Sequence, residues 1–327
     1  MRAVQIVDPG PQSQLTISDV PEPEPGPDEL LVQVRATALN RADLLQRSGN
    51  YPPPPGASEI LGLEMAGEVV RWGDNCTGWQ AGDRVMALLP GGGYAEYVTI
   101  PSGMAMPIPA GMSFEAAAAI PEVFLTAYQA LDWLGGLKKT ETVLIHAGAS
   151  GVGTAAIQIA KERGAQVFVT ASAGKHAACK SLGAGLTIDY KSERFDEVVQ
   201  QATDGAGVDL IVDFLGASYF AQNIQSLGLD GRLVLLALMG GSKIESVNLG
   251  NVFRKRIHIK ASTLRSRSLS YKVALTEAFS KNFLPLFAAG TLKPIIDQVF
   301  DWEEVNDAHA RMAANLNTGK IVLKVSA

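Results

Sequence analysis

The chain reads as an α/β protein in which a mostly β domain is joined to a doubly wound parallel sheet. Three observations predict this. Residues 141–171, ETVLIHAGASGVGTAAIQIAKERGAQVFVTA, run as strand, glycine turn, helix and second strand. Apolar runs at 143–147, 166–171, 185–188, 208–215, 232–238 and 257–261 are separated mostly by helical stretches or turns, as a six-stranded sheet with crossovers requires. Short alternating runs fill the first 122 residues between proline and glycine punctuation.

In the N-terminal part, strand-like runs occur at Leu30–Ala36, Gly67–Val70 and Tyr94–Ile100. Pro21, Pro23, Pro25 and Pro27 punctuate an exposed turn, and Pro52–Pro55 hold their backbone extended at the edge of a loop. A helix over Val123–Leu134 leads into the parallel sheet. Beyond about residue 265 a helix, a Pro-containing loop and the terminal strand Lys320–Val325 return to the first domain. The predicted division is 1–122 and 265–327 on one side, 123–264 on the other.

The glycine turn carries the first chemical reading. Gly148, Gly151 and Gly153 let the backbone fold tightly and approach a pyrophosphate, while the following helix N-terminus, with Ser150 at its start, offers N–H groups and a favourable dipole. Val143, Leu144 and Ile145 before the turn, and Ala155, Ala156, Ile157, Ile159 and Ala160 after it, give the context that a dinucleotide fingerprint needs. An NAD site normally has an acid about 20 residues on, at the end of the second strand. No acid lies between Glu162 and Asp189, and that gap holds Ser172 and Lys175, suited to a 2′-phosphate. NADPH is the expected cofactor.

Composition narrows the class. With 327 residues the chain exceeds one ordinary core, so two domains are expected. No apolar run reaches the roughly 18 residues of a membrane helix, and the start MRAVQIVDPG does not read as a signal peptide, so a soluble cytoplasmic protein is expected. Cys76 and Cys179 fall in different domains, which argues against a disulfide framework. A net charge of −5 gives no general attraction to nucleic acid, and the local basic run Arg254, Lys255, Arg256, His258, Lys260 reads as a solvated strand.

Four segments together, ALNRADLLQRSGNYP (38–52), GLEMAGEV (62–69), AGDRVMALLPGGGYAEY (81–97) and HAGASGVGTAAIQ (146–158), resemble the medium-chain dehydrogenase/reductase superfamily. More narrowly they resemble its zinc-free quinone oxidoreductases, particularly the p53-inducible quinone oxidoreductase-like group. The likeness extends over nearly the whole chain, through LMGG at 238–241, LRSR at 264–267 and GKIVL at 319–323. It implies a GroES-like catalytic domain, a Rossmann NADPH-binding domain and a cleft between them.

In zinc alcohol dehydrogenases of this superfamily, Cys and His stand at the positions matching Asn40 and Leu63. Here His146, His176, His258 and His309 are scattered and Cys76 has no CxxC partner, so no metal is expected although Glu64 stands where the family keeps an acid. Without a Lewis acid the easier chemistry is hydride delivery to an electron-poor acceptor such as a small quinone. Asn40 and Tyr51 are the candidate polar wall for that acceptor. The resemblance further implies that Thr126 and Tyr128 face the nicotinamide or diphosphate and that Val152 lies behind the nicotinamide ring. It sets Tyr190 near the 2′-phosphate, and Met239, Gly240, Leu264 and Arg265 near the nicotinamide half. Arg265 could instead balance phosphate charge or belong to a surface pair. The last strand of the parallel sheet, around Arg256–Ser262 and apolar at alternate positions, would be exposed, and relatives join such edges into homodimers. An enone or enoyl-thioester reductase, and a noncatalytic NADPH- or RNA-binding protein, remain alternatives.

Overall fold

The N-terminal runs form antiparallel strands; burial alternates along Tyr97–Pro101, whereas Glu29–Ala38 is buried at most consecutive positions. In the computed structural model, residues 1–10 and 13–326 are described, and Pro11, Gln12 and Ala327 lie outside them. The chain divides into two units, Met1–Leu125 with Arg265–Ala327, and Thr126–Leu264.

In the first unit, β1 (Arg2–Val7) and β2 (Gln14–Asp19) form a separate antiparallel ribbon. The long strand β3 (Glu29–Ala38) pairs antiparallel with β4 (Glu64–Trp72), which carries β5 (Arg84–Leu88) on its other edge. Strand β6 (Tyr97–Pro101) pairs with β3, and the short β7 (Met106–Pro107) pairs with β5. The run expected from Tyr94 starts as a strand only at Tyr97. Tyr94 itself is fully buried in the loop before it, where its N–H donates to the Leu61 carbonyl at 2.9 Å.

In the second unit, among the described residues, six parallel strands form one sheet: β8 (Thr142–Ile145), β9 (Gln166–Ala171), β10 (Leu186–Asp189), β11 (Val208–Asp213), β12 (Leu227–Leu235) and β13 (His258–Ala261). Their order is β10-β9-β8-β11-β12-β13, so the winding reverses beside β8, the strand that feeds the glycine turn. Ligands of such sheets bind beyond the carboxyl ends at that reversal. The core is Leu144, Phe168, Ile188, Ile211 and Leu233, drawn from five strands.

Two local expectations need correction. The run at 232–238 is strand only as far as Leu235, as the end of a longer strand that already begins at Leu227. The last strand is exposed as expected, at all four residues His258–Ala261. The helix expected over Val123–Leu134 begins at Pro121, where the fixed φ of proline suits a first helical position, and its last turn, Gln129–Leu134, widens to π geometry.

The chain then closes the first unit. The helix Leu269–Ala288 buries Phe279, Phe283 and Phe287 at four-residue spacing, and Phe124 meets Phe287 edge-on at 4.8 Å. Strands β14 (Ile296–Asp301) and β15 (Lys320–Lys324) complete a seven-stranded sheet among the described residues. The antiparallel register Val322↔Ala38 sets Lys320 just past the end of β3, beside Asn40.

Candidate functional site

The glycine turn of the second unit is sterically determined. A Cβ on Gly148 would lie 2.7 Å from the Val169 side chain, and one on Gly153 would lie 2.3 Å from the Ala147 carbonyl oxygen. Neither position admits a side chain without moving backbone or a core strand. Ser150 caps the helix Gly151–Glu162, its hydroxyl accepting from the Gly153 N–H at 3.1 Å. The first-turn N–H groups of Gly151 and Val152 have no carbonyl one turn earlier in the helix, which makes this end a cradle for a phosphate group.

Around that cradle the carboxyl edge gathers several of the expected residues. Ala171 ends β9 and pairs with Asp189 at the end of β10, so Ser172 and Tyr190 follow from adjacent strands. Ser172 and Lys175 are half-buried at the two ends of a single 3₁₀ turn, and Tyr190 is 47% exposed. The loop after β12 is latched to the loop after β11: the Met239 N–H donates to the Phe214 carbonyl at 3.0 Å and the Gly240 N–H to that of Leu215 at 2.7 Å. Thr126 is half-buried, whereas Tyr128 is a packing residue, 5% exposed with its ring edge-on to Trp133. Leu264, half-buried, opens the 3₁₀ turn Leu264–Ser266 that follows β13.

Sequence reasoning missed the polar girder beneath this edge. His146, fully buried after β8, bonds through Nδ1 to the Thr170 hydroxyl at 3.0 Å and through Nε2 to Asn223 Oδ1 at 2.7 Å. Asn223 donates onward to Asp213 Oδ2 at 3.0 Å, and Asp213 accepts the N–H groups of Leu215 and Gly216. Burial pushes the His146 imidazole down to about 4, so it bridges as a neutral ring. The girder ties the turn after β8 to the turn after β11.

The first unit holds a second cluster. Glu64 is 0% exposed and Lys320 3%, and their charged groups meet at 2.7 Å. Glu64 also accepts from Asn40 Nδ2 at 2.9 Å and from the Glu122 N–H at 2.8 Å. Lys320 donates to Asn40 Oδ1 and to the Leu39 carbonyl, each at 2.6 Å. An ammonium only donates, so the amide oxygen of Asn40 must face Lys320 and its NH₂ must face Glu64.

This corrects the role expected of Asn40. Both NH₂ hydrogens are engaged, by Glu64 and by the Ala38 carbonyl at 3.2 Å, and the residue is 6% exposed. Asn40 spends its donors on holding the ion pair. Nearby, Asp43 accepts from the N–H of Asn40 and the hydroxyl of Tyr94, which also meets His309 Nε2. Burial lifts the Asp43 carboxyl to about 6 and pushes His309 down to about 3.

Tyr51 is half-buried, and its partner is Arg265, whose guanidinium carbon lies 5.0 Å from the ring centroid. Arg265 is 9% exposed and donates to Pro90 O and Gln46 Oε1, both at 2.8 Å. It is therefore no surface pair, and in this structure its donors serve the loop of Tyr51 rather than a phosphate.

Known proteins match both units. Residues 26–110 match the alcohol dehydrogenase GroES-like domain family and residues 151–280 the zinc-binding dehydrogenase family. The human synaptic vesicle membrane protein VAT-1 homolog is 35% identical over 315 residues, which span 92% of this chain and 80% of that protein. Among solved structures, an NAD-dependent alcohol dehydrogenase is 34% identical with a TM-score of 0.85, each chain covered fully. The CurK enoyl reductase is 29% identical with a TM-score of 0.88, and a quinone oxidoreductase of Pseudomonas syringae pv. Tomato is 31% identical with 0.87, both over 99% of each chain. The fold is thus a GroES-like β domain with a six-stranded Rossmann-like parallel sheet.

The zinc in one family's description does not fit this donor set. Among the described residues no group of three or more His, Cys, Asp or Glu could hold a metal, and the oxygens of Glu64 are already taken by Lys320, Asn40 and Glu122. A nicotinamide cofactor does fit: the glycine turn whose absent Cβ atoms leave the backbone bare is what a pyrophosphate needs. With both units matched by family and a relative 35% identical along most of its length, the chain belongs to the medium-chain dehydrogenase/reductase superfamily of oxidoreductases.

Proposed function

We propose that this oxidoreductase is NADPH-dependent and zinc-independent, and that it reduces small quinones. The observation that carries the reading is the ammonium of Lys320 seated on Glu64, whose oxygens are already engaged by Lys320, Asn40 and the Glu122 N–H. With no metal to polarise a carbonyl, the acceptor has to be electron-poor already. NADPH, when bound, supplies a hydride from its nicotinamide.

The chain's residues then do three things. Gly148, Ser150, Gly151, Val152 and Gly153 cradle the diphosphate, and Ser172, Lys175 and Tyr190 take the 2′-phosphate in the place where β9 ends without an acid. Met239, Gly240, Leu264 and Thr126 belong to the nicotinamide half of this reading. Tyr51, whose phenol burial holds above its ordinary titration range, stays protonated and donates to the acceptor oxygen as it gains charge.

A second reading has its own support, the 0.88 TM-score likeness to an enoyl reductase. Parallel assays of p-benzoquinone and an enone at fixed NADPH separate the two. Turnover of the quinone is expected, and turnover of the enone alone reverses the ranking.

The reading also includes a cytoplasmic homodimer joined through β13, whose Ile259 is 44% exposed. No helix among the described residues is long and apolar enough to cross a membrane. A monomer mass that does not change with concentration would refute the dimer. Nucleic acid is not a proposed partner, because the basic run is spent internally. Arg256 pairs with Asp230, Lys255 donates to three carbonyls of residues 224–227, and Lys260 donates to Leu134.

A further inference from the structure

We infer that Arg265 is the positioning residue for Tyr51, fixing where the phenol ring stands by clamping the loop that carries it. The inference rests on the role proposed for Tyr51 above. The loop cannot fix itself. Four successive prolines, Pro52–Pro55, supply no N–H donors, so backbone bonding is sparse between the Asn50 N–H bond to Leu45 O at 2.8 Å before the run and the Ala57 N–H bond to Pro54 O at 3.0 Å after it.

What the backbone lacks, one buried guanidinium provides. Arg265 Nη2 donates to Gln46 Oε1 at 2.8 Å, at the end of the helix that leads into the loop. Gln46 in turn donates from Nε2 to the Glu59 carbonyl at 2.9 Å, at the loop's far end. Nε donates to the Pro90 carbonyl at 2.8 Å, while Nη1 points at the Tyr51 carbonyl at 3.5 Å, a long contact. With the guanidinium carbon 5.0 Å from the ring centroid, both ends of the loop and the Tyr51 side chain are referred to one rigid cation.

Only arginine does this. A lysine could not offer a planar fork to separate acceptors while stacking on the ring. The cation also works on the phenol: burial raises its titration and Arg265 opposes that rise. Arg265 therefore governs both the place of the donor and how readily its proton is given.

The test compares Arg265→Gln, Arg265→Lys, Tyr51→Phe and the double variant Arg265→Gln/Tyr51→Phe. Turnover of p-benzoquinone is measured across pH, and NADPH affinity by fluorescence titration. Arg265→Gln is expected to lower kcat by about 10-fold through misplacement of a donor, with NADPH affinity changed less than about 2-fold. Arg265→Lys should not rescue. The alkaline limb of the kcat profile should move to higher pH in Arg265→Gln, which a merely structural role would not produce. In the Tyr51→Phe background the arginine substitution should cost less than about 2-fold.

An equal loss in both backgrounds would overturn the inference while leaving Tyr51 its role, as would weakened NADPH binding at unchanged kcat. A Tyr51→Phe variant with wild-type turnover would instead overturn the role of Tyr51 and the inference with it. Should Arg265→Gln not fold, Gln46→Met removes one jaw of the same clamp. It is expected to lower kcat in the wild-type background only, and a matching loss in Tyr51→Phe would overturn the inference.

Discussion

Replacing Lys320 by methionine should destabilise the first unit far more than loss of one surface charge would. Glu64 is 0% exposed, and Lys320 is its sole cationic partner among the described residues, at 2.7 Å. Removing one member of a buried pair leaves an uncompensated charge, at a cost of about 3–5 kcal/mol. Against a typical stability of roughly 5–15 kcal/mol that is a large fraction. For a unit of this size it corresponds to a fall in melting temperature of roughly 6–20 °C. The added variant Glu64→Gln in the Lys320→Met background removes the stranded charge while retaining one carbonyl oxygen for one of the two donors, Asn40 Nδ2 and the Glu122 N–H, so it should recover part of the loss. Urea titration of the three proteins, followed by calorimetry, measures this. A single variant within about 1 kcal/mol of wild type would refute the reasoning, since exposed pairs are worth that little. So would a double variant less stable than Lys320→Met.

Further outcomes follow from the second unit. Gly153→Ala would drive a Cβ to 2.3 Å from the Ala147 carbonyl and should weaken NADPH binding by at least about 10-fold while far-UV spectra stay native; calorimetry checks it. Lys175→Ala removes a charge-assisted bond of about 1.5–3 kcal/mol, so NADPH affinity should fall about 10- to 100-fold while NADH affinity holds, and an unchanged ratio of the two would refute the 2′-phosphate assignment. His146 titrates near 4 when folded and near 6.5 when unfolded, so its contribution is complete above pH 6.5 and is lost as pH falls through that window. Between about pH 6 and 4.5 the wild type should therefore lose about 1.4 kcal/mol per pH unit more than His146→Gln does, and parallel pH profiles of the two would contradict the buried neutral ring.

The legible parts of the molecule were those written locally. The glycine turn, its flanking apolar strand and helix, and the missing acid after β9 all lie within about thirty consecutive residues, and strand, turn and helix chemistry act over that range. What escaped was assembled from afar. Lys320 reads as the second letter of GKIVL, and only the antiparallel register of β15 on β3 turns it into the partner of Glu64 and Asn40. His146 looked like one of four scattered histidines because Thr170 and Asn223 stand 24 and 77 residues away. Tyr128 and Asn40 were the right residue types for a site, yet burial commits the first to packing on Trp133 and the second to the ion pair. Arg265 was singled out by the resemblance, but its acceptors, Pro90 in a loop and Gln46 at a helix end, lie more than 170 residues earlier.

The central claim is that electrons pass from NADPH to an electron-poor acceptor without help from a bound cation. The most direct test is turnover of p-benzoquinone by protein dialysed against a strong chelator, with its metal content measured alongside. The account predicts undiminished NADPH oxidation by metal-free protein, and no gain on adding zinc. Activity that disappears with the metal and returns with one equivalent of zinc would contradict it.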